Sequence, residues 1–218
     1  MPGEIYITAS SGISQHRVFK NQLPAYDNPD ADMPGFLMAA YHHFGIKYPK
    51  FYKMDHLCKL GWLASEVLLK DSFDELRYQP EEMGIILANA SSSLDADLKY
   101  FESTKEFASP ALFVYTLPNI VIGEICIKHK FKGENAFFIF EAFDADFMEK
   151  YVRNLINSNI LQACICGWVE LIGEEYRAVL FLVEKARGPG DHEPEFTQQG
   201  IMLFTQENLN KIYHLENG

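Results

Sequence analysis

Apolar side chains recur at helical spacing in residues 54–70. There Met54, Leu57, Leu60, Ala64, Val67 and Leu68 form one stripe, with Asp55, Lys59, Ser65 and Glu66 opposite, the pattern of an amphipathic helix with one face on a core. Gly61 and Ala64 would let that helix lie close to a sheet. Residues 83–88 are an apolar run too short for a helix and read as a buried strand, and residues 89–93 are a polar turn into a helix that begins near Asp95. In residues 117–130, Leu117, Ile120, Val121, Ile125 and Ile127 surround Gly123, which predicts a helix packed closely on a flat surface and ended by Gly133. The run Ala136, Phe137, Phe138, Ile139 and Phe140 is too short and too aromatic for a helix and predicts a strand buried on both faces.

A further helix is expected from a cap at Asp144 or Asp146 to about residue 157, with Glu149 three residues beyond Asp146 as in a capping box. Its charged face, Asp146, Glu149, Lys150, Arg153 and Asn154, should meet water. Residues 162–168 and 177–183 read as strands joined by a turn at Gly173, Glu174 and Glu175. At the start, residues 4–9 alternate like a strand and Ser10, Ser11 and Gly12 suit a turn. Residues 16–49 are rich in Pro, Asp, Asn and aromatics, with helical spacing only at 35–43, and suggest an irregular cap. Residues 187–195 read as a linker, followed by a short strand at 201–204 and a short helix at 206–213. The expected organisation is a domain over residues 1–186 with a linker and tail over 187–218 packed on it. Its class is α/β, layered α-β-α with a mixed sheet.

Chemistry is sparse in this pattern. The four cysteines, Cys58, Cys126, Cys164 and Cys166, form no CxxC pair and sit within helix or strand patterns, so they read as buried hydrophobes in a reducing compartment rather than zinc ligands or disulfides. His42 and His43 are adjacent rather than three or four apart, which does not suit a metal site. Glu141, Asp144 and Asp146 crowd one turn, where paired carboxylates could do acid–base work or simply cap a helix. A Ser-rich turn such as 90–93 can hold phosphate, but no GK[ST] follows, and a capped turn is the plainer reading. No GxSxG, HExxH or GxGxxG occurs, and neither a metal nor a cofactor is expected.

Residues 109–144 carry a resemblance. The pattern SP…F…TLPNxxxGxIxIxxxxKG, followed by an apolar strand, resembles the N-terminal half of a β-ketoacyl synthase of the thiolase fold. Among its relatives it is nearest the small chain-length-factor-like homologues of aryl polyene and type II polyketide pathways. The resemblance spans roughly residues 1–186 and is dense from about 48 to 184. It implies half of a thiolase-like fold in which Asn119, Gly123 and Gly133 form the family framework and precede a strand ending in the turn that carries a nucleophilic Cys. An ungapped count from Gly133 puts that position at Ala142, with Phe143 next, and neither is a nucleophile. The family's second half, which supplies two catalytic His and a Lys, is expected to be missing.

What the resemblance implies is therefore a non-catalytic subunit, without activity alone, of a 3-oxoacyl-[acyl carrier protein] synthase-type complex. It would pair with a full-length ketosynthase through the strand Ala136, Phe137, Phe138, Ile139 and Phe140. Phe113, Tyr115, Thr116 and Leu117 would lie at the partner's acyl pocket as its gate, in fatty-acid-like or polyene/polyketide biosynthesis. An acyl carrier protein would reach it through the complex. The rival readings are a small acyltransferase or thioesterase using Cys164 or Cys166 or the acidic turn, and a homodimeric assembly protein.

Charge narrows the partners. With 19 basic and 30 acidic residues and a net charge of -11, the chain is ill suited to nucleic acid or an anionic membrane. Its basic residues look scattered, which argues against direct docking of an acidic carrier. The N-terminus lacks a secretory pattern and no stretch approaches the roughly 20 apolar residues of a span, so a cytoplasmic setting is expected.

Overall fold

A computed structural model describes residues 4–186 and 201–215. The linker expected at 187–195 lies outside the described residues. Strand β1 (Ile5–Ser14) runs straight through Ser10, Ser11 and Gly12, which the sequence suggested as a turn. Those small residues are paired on both sides, and the Ser11 hydroxyl donates to the Ala64 carbonyl at 2.9 Å, so they serve close helix approach rather than a reversal. The reversal comes at Gln15 and His16, both at positive φ, and a second one at Asn21 and Gln22 shares that geometry. Two consecutive left-handed residues make the tight hairpin turn that matches strand twist. The region expected to be irregular thus holds β2 (Arg17–Lys20) and β3 (Leu23–Asp27), followed by α1 (Met33–His43), which Asp32 caps.

Helix α2 (His56–Leu69) is capped by Asp55, whose side chain accepts from the Cys58 amide at 3.0 Å. Next come β4 (Met83–Asn89), α3 (Leu94–Ser103), α4 (Pro110–Phe113), α5 (Ile120–His129), β5 (Asn135–Ile139) and α6 (Ala145–Asn157). The long pair β6 (Ala163–Ile172) and β7 (Glu175–Lys185), then β8 (Met202–Leu203) and α7 (Gln206–Leu215), complete the described chain. The strands form one eight-stranded sheet in the order β3-β2-β1-β7-β6-β4-β5, with β8 on β1. It is mixed: β4 lies parallel to β5 and β6, whereas β7 is antiparallel to β6 and β1.

Alternate residues of each central strand enter different cores. Ile85, Leu87, Ile165 and Leu180 pack under α1, α2 and α5, while Ile86, Ala88, Cys166 and Phe181 pack under α6 and α7. The result is the expected α-β-α layering. Gly61 permits it locally, since a Cβ there would lie 2.5 Å from Val121 of α5 and 3.1 Å from Val169 of β6.

Two local expectations are corrected and one open choice is settled. Helix α5 ends in a left-handed Lys130, not at Gly133, whose role is to let backbone pass: a Cβ there would meet the Met83 carbonyl at 2.5 Å. Gly123 does not mark a close approach, because a Cβ would meet nothing within 4 Å. Finally, Asp144 rather than Asp146 caps α6, accepting from Phe147 N at 2.9 Å, and Asp146 instead pairs with Lys150 at 2.6 Å.

Candidate functional site at the β5 edge and bend

The strand expected to be buried on both faces is the outermost strand of the sheet, half-buried in its middle and exposed at Asn135 and Ile139. An aromatic run does not report whether both edges are paired. Here the β4 side is satisfied: Ile85 N donates to Glu134 O at 3.1 Å and Phe140 N to Asn89 O at 2.9 Å. Backbone groups alternate in direction along a strand, so 134, 136, 138 and 140 face β4 while 135, 137 and 139 face outward. Phe140, placed in the strand by the sequence, lies just past its end. The edge carries no Lys, Pro or bulge of the kind that protects free strands from pairing.

Past the strand the chain bends at Phe140, Glu141, Ala142 and Phe143 into α6. A shallow cavity of about 490 Å³ lies there, lined by this bend and by Gln206 and Asn210 of α7. Among the described residues its walls hold no thiol, hydroxyl or imidazole, whereas carbon–carbon condensation needs a nucleophile and a stabiliser for the developing charge. Phe143 is fixed by stacking on Tyr213, ring centroids 4.4 Å apart.

The proposed gate residues divide into two kinds. Phe113, 59% exposed at the end of α4, projects outward beside Tyr100 of α3 at 5.3 Å. Leu117 is likewise exposed at 57%. Tyr115 turns inward: its hydroxyl donates to Lys53 O at 3.2 Å, and burial, with the nearby Cys58, Glu124 and Asp55, pushes its phenol up to about 12. Thr116 is a brace, its carbonyl accepting from Ser93 Oγ at 2.9 Å. Asn119 sits exposed at the start of α5 without a side-chain cap bond.

The helix expected to begin near Asp95 is the neighbouring α3, but sequence reasoning missed which side of it is covered. Its polar side is the buried one, with Asp95 accepting from Lys99 Nζ at 2.7 Å and Gly173 N at 3.2 Å, so Leu94, Leu98 and Phe101 face out. Their i, i+4, i+7 spacing is visible in the sequence, but not which side the protein covers. The α1–α2 connection was missed too. Lys47, Lys50, Lys53 and Lys59 gather between residues 47 and 59, where the sequence holds one acid, the capping Asp55; Lys50 is paired with Glu124 of α5 at 2.8 Å, and His56 meets Lys99 at 3.1 Å. The basic residues are locally gathered rather than scattered.

Other candidates fall to geometry. Cys164 and Cys166 are fully buried against α6, and burial pushes both thiols well up, so neither is an accessible nucleophile. His42 and His43 turn to different rings, Tyr52 and Tyr26. No cluster of three metal-ligating side chains occurs among the described residues. In the 89–93 turn, the amides of Ala90 and Ser91 both donate to Glu170, at 2.5 and 3.1 Å, so a carboxylate of the chain fills the place a phosphate would need. No single helix among the described residues is long and apolar enough to cross a membrane.

These thiols give a direct prediction. At pH 8 a thiol reagent should leave Cys58, Cys164 and Cys166 unlabelled in the native protein and label all four cysteines after denaturation. A fast-labelling or acylated Cys164 or Cys166 would revive the acyltransferase reading. Because burial raises folded thiol values above the ordinary 9.0, to about 11 for Cys126, their contribution to stability is fully present below pH 9 and lost as pH climbs toward the folded value. Urea midpoints at pH 7.5 and 10.5 would show the fall.

Neither a family model nor a curated protein matches the sequence. Solved structures do. The ishigamide ketosynthase/chain length factor aligns with a TM-score of 0.60 at 16% identity over 85% of this chain. The fold is that of the ketosynthases. A type II polyketide acyl carrier protein in complex with its ketosynthase bound to the hexaketide gives 0.60 at 15% identity over 90% of the chain. The ketosynthase ApeO in complex with its chain length factor ApeC, from Xenorhabdus doucetiae, gives 0.52 at 13% identity over 86%. This chain spans 63% and 65% of the first two matched chains and 81% of the third. Its mixed α-β-α layering is thus the thiolase-like architecture of ketosynthases, shared at 13–16% sequence identity.

Proposed function

We propose that this chain is a non-catalytic, chain-length-factor-like subunit that pairs with a full-length ketosynthase through the open edge of β5. There it shapes the partner's acyl pocket in fatty-acid-like or polyene/polyketide biosynthesis, in a cytoplasmic setting. The observation that carries the reading is Ala142: a ketosynthase-type fold whose post-β5 bend offers a methyl group where the resembled family places its thiolate. The unprotected edge supports it, as do the exposed Phe113 and Leu117 and the outward stripe of α3, because neighbouring large apolar side chains left in water are a feature of interfaces. Lys47 and Lys53 of the α1–α2 connection would suit an acidic acyl carrier protein meeting the pair.

Co-expression with candidate ketosynthases followed by size-exclusion chromatography tests the proposal. A stable heterodimer is expected with one of them, and a chain that elutes alone beside every candidate defeats it. Within such a pair Phe113→Ala should lengthen the acyl products, seen by mass spectrometry. A ring closing an apolar tube excludes extra carbons at a cost of roughly 1–3 kcal/mol, a bias of about 5- to 150-fold against the longer product. An unchanged product distribution would remove Phe113 from the gate. One observation favours a homodimer as second reading: the outward groups at 135, 137 and 139 are symmetric about Phe137 and could pair antiparallel with their own copies.

A further inference from the structure

Helix α5 ends on an imidazole that has a carboxylate at each ring nitrogen. Nε2 of His129 lies 2.6 Å from Glu66 of α2, and Nδ1 lies 3.2 Å from Glu75, in the single turn Glu75–Arg77 between α2 and β4. The ring is held in place, since its side chain is 9% exposed and it stacks on Phe131 with centroids 5.3 Å apart. The two acids differ in their setting: the Glu66 side chain is 12% exposed and that of Glu75 66%. All three groups line a cavity of about 340 Å³, whose other walls include Lys47 of the α1–α2 connection, Lys70 at the end of α2 and Lys128 of α5.

A neutral imidazole carries one N–H and an imidazolium two, whereas an ionised carboxylate only accepts. Both contacts of His129 are therefore hydrogen bonds only when the ring holds both protons. With one proton left, the shorter and more buried contact to Glu66 keeps it, and the Nδ1 lone pair then faces a carboxylate oxygen. We propose that His129 is a proton-operated clasp: doubly protonated, it fastens the Glu75–Arg77 turn to the end of α5, and loss of the Nδ1 proton releases Glu75 and opens that wall of the cavity. Imidazole is suited to this, because its ordinary charge change falls between pH 5 and 8. Of the charged groups lining the cavity, Glu66 and Glu75 favour the second proton and Lys47, Lys70 and Lys128 oppose it. The bond to Glu75 exists only in the imidazolium, so it is present at low pH and lost as pH rises. The movement is confined to the turn, because its flanks have anchors of their own. Ser72 N and Phe73 N both donate to Leu69 O at 3.1 Å, and the Tyr78 hydroxyl donates to the buried Glu184. None of this depends on pairing with a ketosynthase.

Nitrogen-15 NMR of the imidazole and hydrogen exchange of the intact chain at pH 5.5 and 8.5, with rates corrected for the intrinsic pH dependence of exchange, test the clasp. His129 is expected to show two protonated ring nitrogens at pH 5.5, and a protonated Nε2 beside a bare Nδ1 at pH 8.5. Protection of residues 75–77 should be lower at pH 8.5 by about two- to fivefold, the range of one partly exposed ion pair, with β4 and β6 unchanged. Glu75→Gln should remove this pH response and leave the chain folded, since the residue is exposed and an amide can accept from an N–H or donate to a bare nitrogen. A single ring proton at both pH values overturns the clasp. So does protection of 75–77 that ignores pH, or a Glu75→Gln chain that responds to pH as the wild type does.

Discussion

Replacing Asn135 and Ile139 together by proline is expected to weaken pairing with a ketosynthase sharply while the subunit itself stays folded. Both residues are exposed, and both point their backbone groups away from β4, so neither substitution removes a bond of the chain's own ladder. A partner strand laid on this edge would lose two donors. Each loss leaves a carbonyl unsatisfied at a cost of about 1–3 kcal/mol, so the pair should weaken association by roughly 30-fold or more. Size-exclusion chromatography of the co-expressed pair reads the association, and circular dichroism with a thermal melt reads the fold. Pairing that survives both prolines would mean the partner docks elsewhere, with the outward face of α3 the next place to look. A melt that collapses would instead reveal that 135 and 139 face inward, against the bonds at Glu134 and Phe140.

How far the sequence could foresee this arrangement depended on whether a feature is local. Strand β4 was legible as a short apolar run buried on both faces, and α2 and α6 because an apolar stripe at helical spacing faces the sheet, which periodicity reports directly. The hairpin of β2 and β3 was not. Its turns use Gln15-His16 and Asn21-Gln22, which take positive φ without the glycine that usually advertises it. Strand β5 was found, but its place at the edge depends on what fails to pair with it, and a single strand's residues do not encode an absent neighbour. Helix α3 shows the same limit more sharply. Asp95 faces inward because Lys99 and the β6–β7 turn at Gly173 need its carboxylate, so a helix whose pattern suggests an apolar inner face presents that face to solvent. Ala142, reached in the sequence by counting from Gly133, lies in the exposed bend that follows β5.

Gly167 and Gly123 look alike in the sequence and should behave oppositely when changed to alanine. At Gly167, in the middle of β6, φ is +149° and a Cβ would lie 2.1 Å from the Val179 carbonyl oxygen and 3.0 Å from Leu180 Cα. Neither neighbour is the movable end of a side chain; both belong to β7, which is itself locked between β6 and β1. Strained backbone costs roughly 1–3 kcal/mol and forced overpacking a similar amount. Gly167→Ala should therefore lose about 3 kcal/mol or more, a large share of the roughly 5–15 kcal/mol that holds a domain folded. At Gly123 the backbone is helical and nothing stands within 4 Å of a Cβ. Gly123→Ala should stabilise the chain by about 0.5–1 kcal/mol, because alanine has less freedom to lose on entering a helix. Urea denaturation of the two variants beside the wild type decides the matter. Equal destabilisation would mean that α5 packs against something at Gly123 after all. A tolerant Gly167 would mean that β6 and β7 can slide apart where the register between Gly167 and Leu180 holds them together.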